Sequence, residues 1–200
     1  MKQTIKVPQD WEDINVGKYI EFRSTFKEGI GLIDLSLLQV SILCNVDMEL
    51  CEKMSLESLK KVQLHLNKFL TLPNQIPVTN VIQLIGKTQV GYEPNISKWT
   101  AGQYVDYKSV LDRGGKDLLD ILHEVLGTII VPVKDGKLVE YSNETKAEMQ
   151  DLIYAHLNMR DALGICFFFS RLYETLIEDF KDYTEKKAIK KMREAIRIMK

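Results

Sequence analysis

Two stretches of this chain, 85 residues apart, spell nearly the same eleven-residue pattern. Ile14 to Ser24 reads Ile-Asn-Val-Gly-Lys-Tyr-Ile-Glu-Phe-Arg-Ser, and Trp99 to Ser109 reads Trp-Thr-Ala-Gly-Gln-Tyr-Val-Asp-Tyr-Lys-Ser. Gly, Tyr and Ser coincide, and the acid, the aromatic and the base keep their places. An internal repeat of this kind calls for two similar units. Each copy reads as a helix start. Thr100 is placed to cap the first turn, with Gln103 three residues on as the reciprocal partner of a capping box, and Asn15 is placed to cap the other copy. A glycine inside a helix costs roughly 1 kcal/mol against alanine, so Gly17 and Gly102 are expected where another segment passes close. Tyr19 and Tyr104 either dock on the core of their own unit or, with Trp11 and Trp99, present the large amphipathic rings on which binding hot spots are built.

Enough apolar material is present to bury a sizeable core: 45% of the 200 residues are hydrophobic and 28% charged, an ordinary globular composition. The net charge of −1 gives no overall pull toward nucleic acid or an anionic membrane, yet residues 184–200 carry seven Lys and Arg against two Glu. Three cysteines, Cys44, Cys51 and Cys166, are an odd number in a chain long enough to fold without staples, so reduced thiols are expected. The first residues contain no apolar h-region and no signal peptide is expected. The longest uncharged apolar run, Ala162 to Phe169, is far shorter than the ~20 residues of a spanning helix. A soluble protein without membrane partners is the expectation.

The fold class that follows is α+β and mostly helical, with two repeated helical lobes, short β-hairpins and a long C-terminal helix. The first lobe covers residues 1–75. An edge strand is expected at 2–7, a buried helix at Leu32 to Leu43 after a glycine break at Gly29 and Gly31, and a polar bend around Asp47, Glu49 and Glu52. A helix capped by Ser55 follows, with Leu59, Val62, Leu66, Phe69 and Leu70 at three- and four-residue spacing, ended by Pro73. The second lobe covers 76–183. Val78 to Leu84 and Thr88 to Tyr92 read as a hairpin about Gly86-Lys87. Gly114 and Gly115 should break the chain after the second pattern, before an apolar helix at Leu118 to Leu126. Asp135-Gly136 signals a second hairpin. A helix after Ser142 and a longest helix from Met159 to about Tyr183, capped by Asn158 with Asp161, complete the lobe. The long helix carries an apolar stripe of Leu163, Phe167, Leu172, Leu176 and Phe180, and Ile165, Phe168 and Phe169 make its first half apolar nearly all round.

No spacing in the chain spells a reaction. Gly86-Lys87-Thr88 resembles the end of a phosphate loop, but the required earlier glycine is Val81 and the turn joins two strands. His65, His123 and His156 form no metal-binding pair, and Cys44 and Cys51 match no zinc spacing. Glu21 and Asp106 read as helix-dipole and salt-bridge decoration. Neither catalytic residues nor a metal or cofactor is expected.

Residues 184–200 read as a basic amphipathic arm. Ala188, Ile189, Met192, Ala195, Ile196 and Met199 fall on one face, with Lys187, Lys190, Lys191, Arg193 and Arg197 among the surrounding bases. Such a helix can pack on its own body, in a partner's groove, on an anionic membrane or along phosphates. Aromatic residues are missing from its apolar face, which argues against the membrane and against stacking on single-stranded nucleic acid.

The early Trp-Glu-Asp-Ile with Val-Gly-x-Tyr-Ile-Glu, Trp11 to Glu21, and the mid-chain Thr-Ala-Gly-Gln-Tyr-Val-Asp, Thr100 to Asp106, resemble small proteins encoded among the structural genes of tailed bacteriophages, crAss-like and related phages of Bacteroidetes in particular. The resemblance implies a non-enzymatic, virion-associated structural protein that packs near the portal or tail or is carried inside the particle as cargo. A non-virion tail assembly chaperone is the alternative. Implied partners are other phage structural proteins and copies of the chain itself, with a weak contact to DNA through the basic C-terminus, and the implied location is the virion. Trp11, Tyr19, Trp99, Tyr104 and the five basic residues named in the arm are the expected interaction residues.

Overall fold

The computed structural model describes residues 5–26, 30–73, 76–77 and 82–172. After a 3₁₀ turn at Trp11–Asp13 come α1 (Val16–Ser24), α2 (Leu32–Cys44), α3 (Met48–Glu52) and α4 (Leu56–Leu66), which tightens into 3₁₀ at Asn67–Leu70. Strands β1 (Ile82–Ile85) and β2 (Thr88–Gly91) follow, then α5 (Ala101–Gly114), a 3₁₀ stretch at Gly115–Ile121 and α6 (Leu122–Gly127). Strands β3 (Val131–Lys134) and β4 (Lys137–Leu138) lead to α7 (Asn143–His156) and to α8, helical over 159–172. The fold is α+β and mostly helical, with one four-stranded antiparallel sheet in the order β1-β2-β3-β4.

Both hairpin turns follow from their sequences. Gly86, at φ +59°, fills the first central position between Ile85 and Thr88, where a two-residue turn that follows the strand twist takes glycine. Asp135 (φ 50°) and Gly136 (φ 73°) both adopt the left-handed conformation between Lys134 and Lys137, the geometry that Asp-Gly favours. The two hairpins are one sheet: Val90 pairs with Pro132 and Gly91 with Val131. That junction leaves no mark in local spacing, because the strands it joins are separated by all of α5 and α6.

Helix α1 is fastened at its start. The Val16 amide donates to Leu157 O (2.9 Å) and the Met159 amide to Ile14 O (2.8 Å), forming a bridge between Asn15 and Asn158. Asn15 Oδ1 caps α1 by accepting from the Lys18 amide (2.8 Å), and its Nδ2 donates to Ala155 O (2.9 Å). The Asp161 amide donates to Asn158 Oδ1 (2.9 Å), which caps α8. The first turns of α1 and α8 are therefore locked together at the C-terminal end of α7. Buried side chains from Ile14 through Phe169 form one continuous cluster, to which α8 contributes Ala162, Leu163, Ile165 and Phe169.

Several sequence expectations are corrected. Residues 5–7 form no strand, and the rest of the segment expected there lies outside the described residues. The segment expected as a polar bend holds the short helix α3, Met48–Glu52, with Asp47 as its N-cap residue. Gly114 ends α5 and passes directly into the 3₁₀ stretch without a break. Helix α2 buries only its second half, through Gln39, Val40, Leu43 and Cys44, whereas Leu32 is 83% and Ile33 58% exposed. Thr100 does cap α5, accepting from the Gln103 amide (3.1 Å), but no capping box forms, because Gln103 Nε2 donates to the buried Thr128 carbonyl (2.9 Å). A buried carbonyl without a donor costs about 1–3 kcal/mol, more than a solvent-facing cap contributes.

Candidate protein-docking surface

The four aromatic candidates are distributed unequally between core and surface. Tyr19, 2% exposed, lies edge-on to Trp11 at 5.4 Å between ring centroids, and Trp11 meets Phe69 at 5.1 Å. Tyr19 Oη donates to Phe69 O at 3.4 Å. Trp99, 9% exposed, donates from Nε1 to Glu93 O (2.9 Å) and packs on Tyr107 and Phe169. Tyr19 and Trp99 are core side chains, which corrects their expected role at an interface: each ring is enclosed by its own chain. Trp11 and Tyr104 are half-buried. The arm residues Lys187, Lys190, Lys191, Arg193 and Arg197 lie outside the described residues, as do Leu176 and Phe180 of the expected long stripe.

The two acids of the repeated pattern are more than surface decoration, since each receives a tyrosine hydroxyl from the α7 region. Tyr154 Oη donates to Glu21 Oε1 (3.1 Å), and Tyr141 Oη donates to Asp106 Oδ2 (2.6 Å). Lys146, in the first turn of α7, adds a 2.8 Å ion pair to Asp106. The hydrogen bond from Lys146, with that from Tyr141, holds the Asp106 carboxyl below its ordinary range. Burial and the same acid push the Tyr141 phenol well above its ordinary range. These bonds fasten the two patterned helices to one shared helix, a role that no spacing rule contains.

The remaining reactive side chains lie apart. Burial pushes the Cys44 thiol up to about 11 and the Cys166 thiol up to about 12, which keeps both protonated and unreactive near neutrality. His65 Nε2 lies 3.0 Å from Pro8 O, and the His123 ring packs edge-on to Tyr154 at 5.3 Å, where burial lowers its basicity. Among the described residues no group of three or more His, Cys, Asp or Glu is placed to hold a metal ion, and no helix is long and apolar enough to cross a membrane.

The surface feature that stands out is a groove of about 460 Å³ between the N-terminal half of α2 and the length of α4. Leu32, Ile33, Leu56, Leu59 and Leu64 line it, with Lys60 as its one charged lining residue. Leu56 and Leu64 are 70% and 62% exposed, in addition to the exposed pair on α2. Leu59 and Leu66 face inward from α4, so the outward leucines Leu56 and Leu64 are surplus to the core. Behind the groove a polar chain ties three helices: Gln63 Nε2 donates to Gln39 Oε1 (2.7 Å), and Gln39 Nε2 to Thr25 Oγ1 (3.2 Å). Gln63 Oε1, on the groove wall, is buried and accepts no hydrogen bond from the described residues. Clustered exposed apolar side chains of this kind mark contact sites on soluble proteins. The local signal was present in the leucine-rich start of α2, whose composition alone reads as core.

Comparisons with protein families, with curated proteins and with solved structures find no match to this chain.

Proposed function

We propose that this chain is a non-enzymatic structural protein of a tailed phage particle, packing near the portal or tail through apolar helix faces against neighbouring copies and partner proteins. The observation that carries this reading is the groove between α2 and α4, where Leu32, Ile33, Leu56 and Leu64 stand more than half exposed on two adjoining helices. Each such side chain is worth roughly 1.5–3 kcal/mol when fully buried, so covering the groove supplies a substantial part of a protein contact. The likeness of Trp11 to Glu21 and Thr100 to Asp106 to phage structural proteins supports the choice of setting. Copy counting in purified particles by quantitative mass spectrometry tests it. A fixed ratio of this polypeptide to the portal protein is expected. Abundance in infected cells together with absence from finished particles overturns the virion reading in favour of a tail assembly chaperone.

A further inference from the structure

We infer that residues 184–200 of one copy seat in the α2–α4 groove of a neighbouring copy, with Glu185 meeting Lys60. Two features of the chain are complementary in shape and in charge. The groove is apolar around a single cation, Lys60. In the 184–200 segment, Ile189, Met192, Ile196 and Met199 recur at three- and four-residue spacing, and Glu185 falls on the same stripe one helical turn before Ile189. An apolar stripe with one acid thus answers an apolar groove with one base, the arrangement of helix-in-groove recognition with a charge that fixes register.

The surroundings agree with the same occupant. Residues 32–66, the α2 to α4 region, hold five acidic side chains against three lysines. Two of those lysines are taken by ion pairs along the chain, Glu49 with Lys53 and Glu57 with Lys61, both at 2.6 Å. Asp34, Asp47 and Glu52 form no ion pair among the described residues, and Lys60 is likewise left over. Seven bases flank the stripe of the segment, so the net acidic charge of the α2 to α4 region favours this segment over a neutral or acidic one. The placement on a second copy rests on the proposal that the chain packs against itself. A segment from one copy in the groove of the next is a head-to-tail contact, which propagates into a ring or an open chain of subunits.

A mixing experiment on full-length protein decides it. One variant, Leu32→Glu with Leu64→Glu, blocks the groove at two exposed positions; the other, Ile189→Asp with Ile196→Asp, spoils the stripe. Wild-type chain should self-associate in sedimentation velocity, and each variant alone should lose affinity by about a hundredfold or more. Mixed together they should form a one-to-one heterodimer, because one intact groove and one intact stripe remain. Lys60→Glu should weaken association about tenfold, and adding Glu185→Lys should restore it. Unaltered far-ultraviolet circular dichroism checks that the variants fold. A wild-type chain that stays monomeric, a stripe variant that still associates by itself, or a mixture without heterodimer overturns the inference. Copy counting in particles does not depend on this contact, so a chain present in particles whose variants fail to complement keeps its proposed setting and loses this arrangement.

Discussion

Helices α1 and α5 begin with the same pattern and meet different neighbours. Both start on a polar cap, Asn15 or Thr100, and both place a glycine second in the helix. Helix α1 then buries Val16, Gly17, Tyr19 and Phe22, whereas α5 buries Gln103, Tyr107 and Val110. Among the helical positions of the pattern the aromatic at Phe22 and Tyr107 is inside in both, as are Ile14 and Trp99 just before the caps. The difference originates at the bridge between Asn15 and Asn158, which presses the first turn of α1 against the end of α7. Among the described residues no such bridge holds the start of α5, so Ala101 and Gly102 face outward and Gln103 alone of its first turn is buried. Local chemistry sets where a helix starts, and the partner it packs on sets which face is buried.

The glycines give the largest expected break in this comparison. A Cβ on Gly17 would stand 2.6 Å from Tyr154 Cε1 and 2.7 Å from the Tyr154 carbonyl oxygen. Real Cβ atoms do not approach so closely, and one of the offending atoms is backbone, so α1 and α7 must separate. Gly17→Ala should therefore cost about 2–3 kcal/mol, within the range for overpacked sites. In a chain of this length that lowers the thermal midpoint by about 5–10 °C in calorimetry. An unchanged midpoint would show that α1 does not lie this close to α7.

The paired acids give the next effect. Asp106 holds two donors, Tyr141 Oη and Lys146 Nζ, whereas Glu21 holds one exposed hydrogen bond from Tyr154. Asp106→Ala should cost about 1.5 kcal/mol, as befits charge-assisted hydrogen bonds that are partly shielded. Glu21→Ala should cost no more than about 0.5 kcal/mol. Because the Asp106 carboxyl is depressed in the folded protein, its stabilisation is complete above its unfolded value of about 4 and fades as pH falls through the lower folded value. The gap between wild type and Asp106→Ala in denaturant titrations should thus be constant from pH 8 to 5 and narrow below pH 4. A gap that widens on acidification contradicts the pairing.

Much of the architecture could be read in advance, and the misses share one physical cause. Caps at Asn15, Ser55, Thr100 and Asn158, and the turns at Gly86 and Asp135-Gly136, are local and were legible. The joining of two hairpins through Val90 and Pro132, the Gln63–Gln39–Thr25 chain and the tyrosine bonds to Glu21 and Asp106 unite residues distant in sequence. Spacing carries no information about such pairs. The groove was missed for a related reason: a leucine-rich helix start reads as core whether or not a covering element exists, and Leu32 at 83% exposure has none among the described residues. The expectation that both pattern glycines mark a close approach holds for Gly17 and fails for Gly102.

That failure supplies the smallest prediction. A Cβ added at Gly102 meets no atom within 4 Å, so nothing in the fold requires glycine there. Alanine removes backbone freedom from the unfolded chain at no steric cost. The full difference in helix propensity is about 1 kcal/mol in a helix interior. Position two of the first turn has only part of its backbone fixed by helical hydrogen bonds, so Gly102→Ala should raise stability by about 0.5 kcal/mol. Chemical denaturation resolves that gain when wild type and variant are measured in parallel, with the midpoint rising and the slope constant. Identical residues at identical places in the repeat would then respond to one methyl group with opposite signs. A loss at Gly102 comparable to that at Gly17 would mean that the first turn of α5 is covered in solution by a surface the isolated chain does not supply.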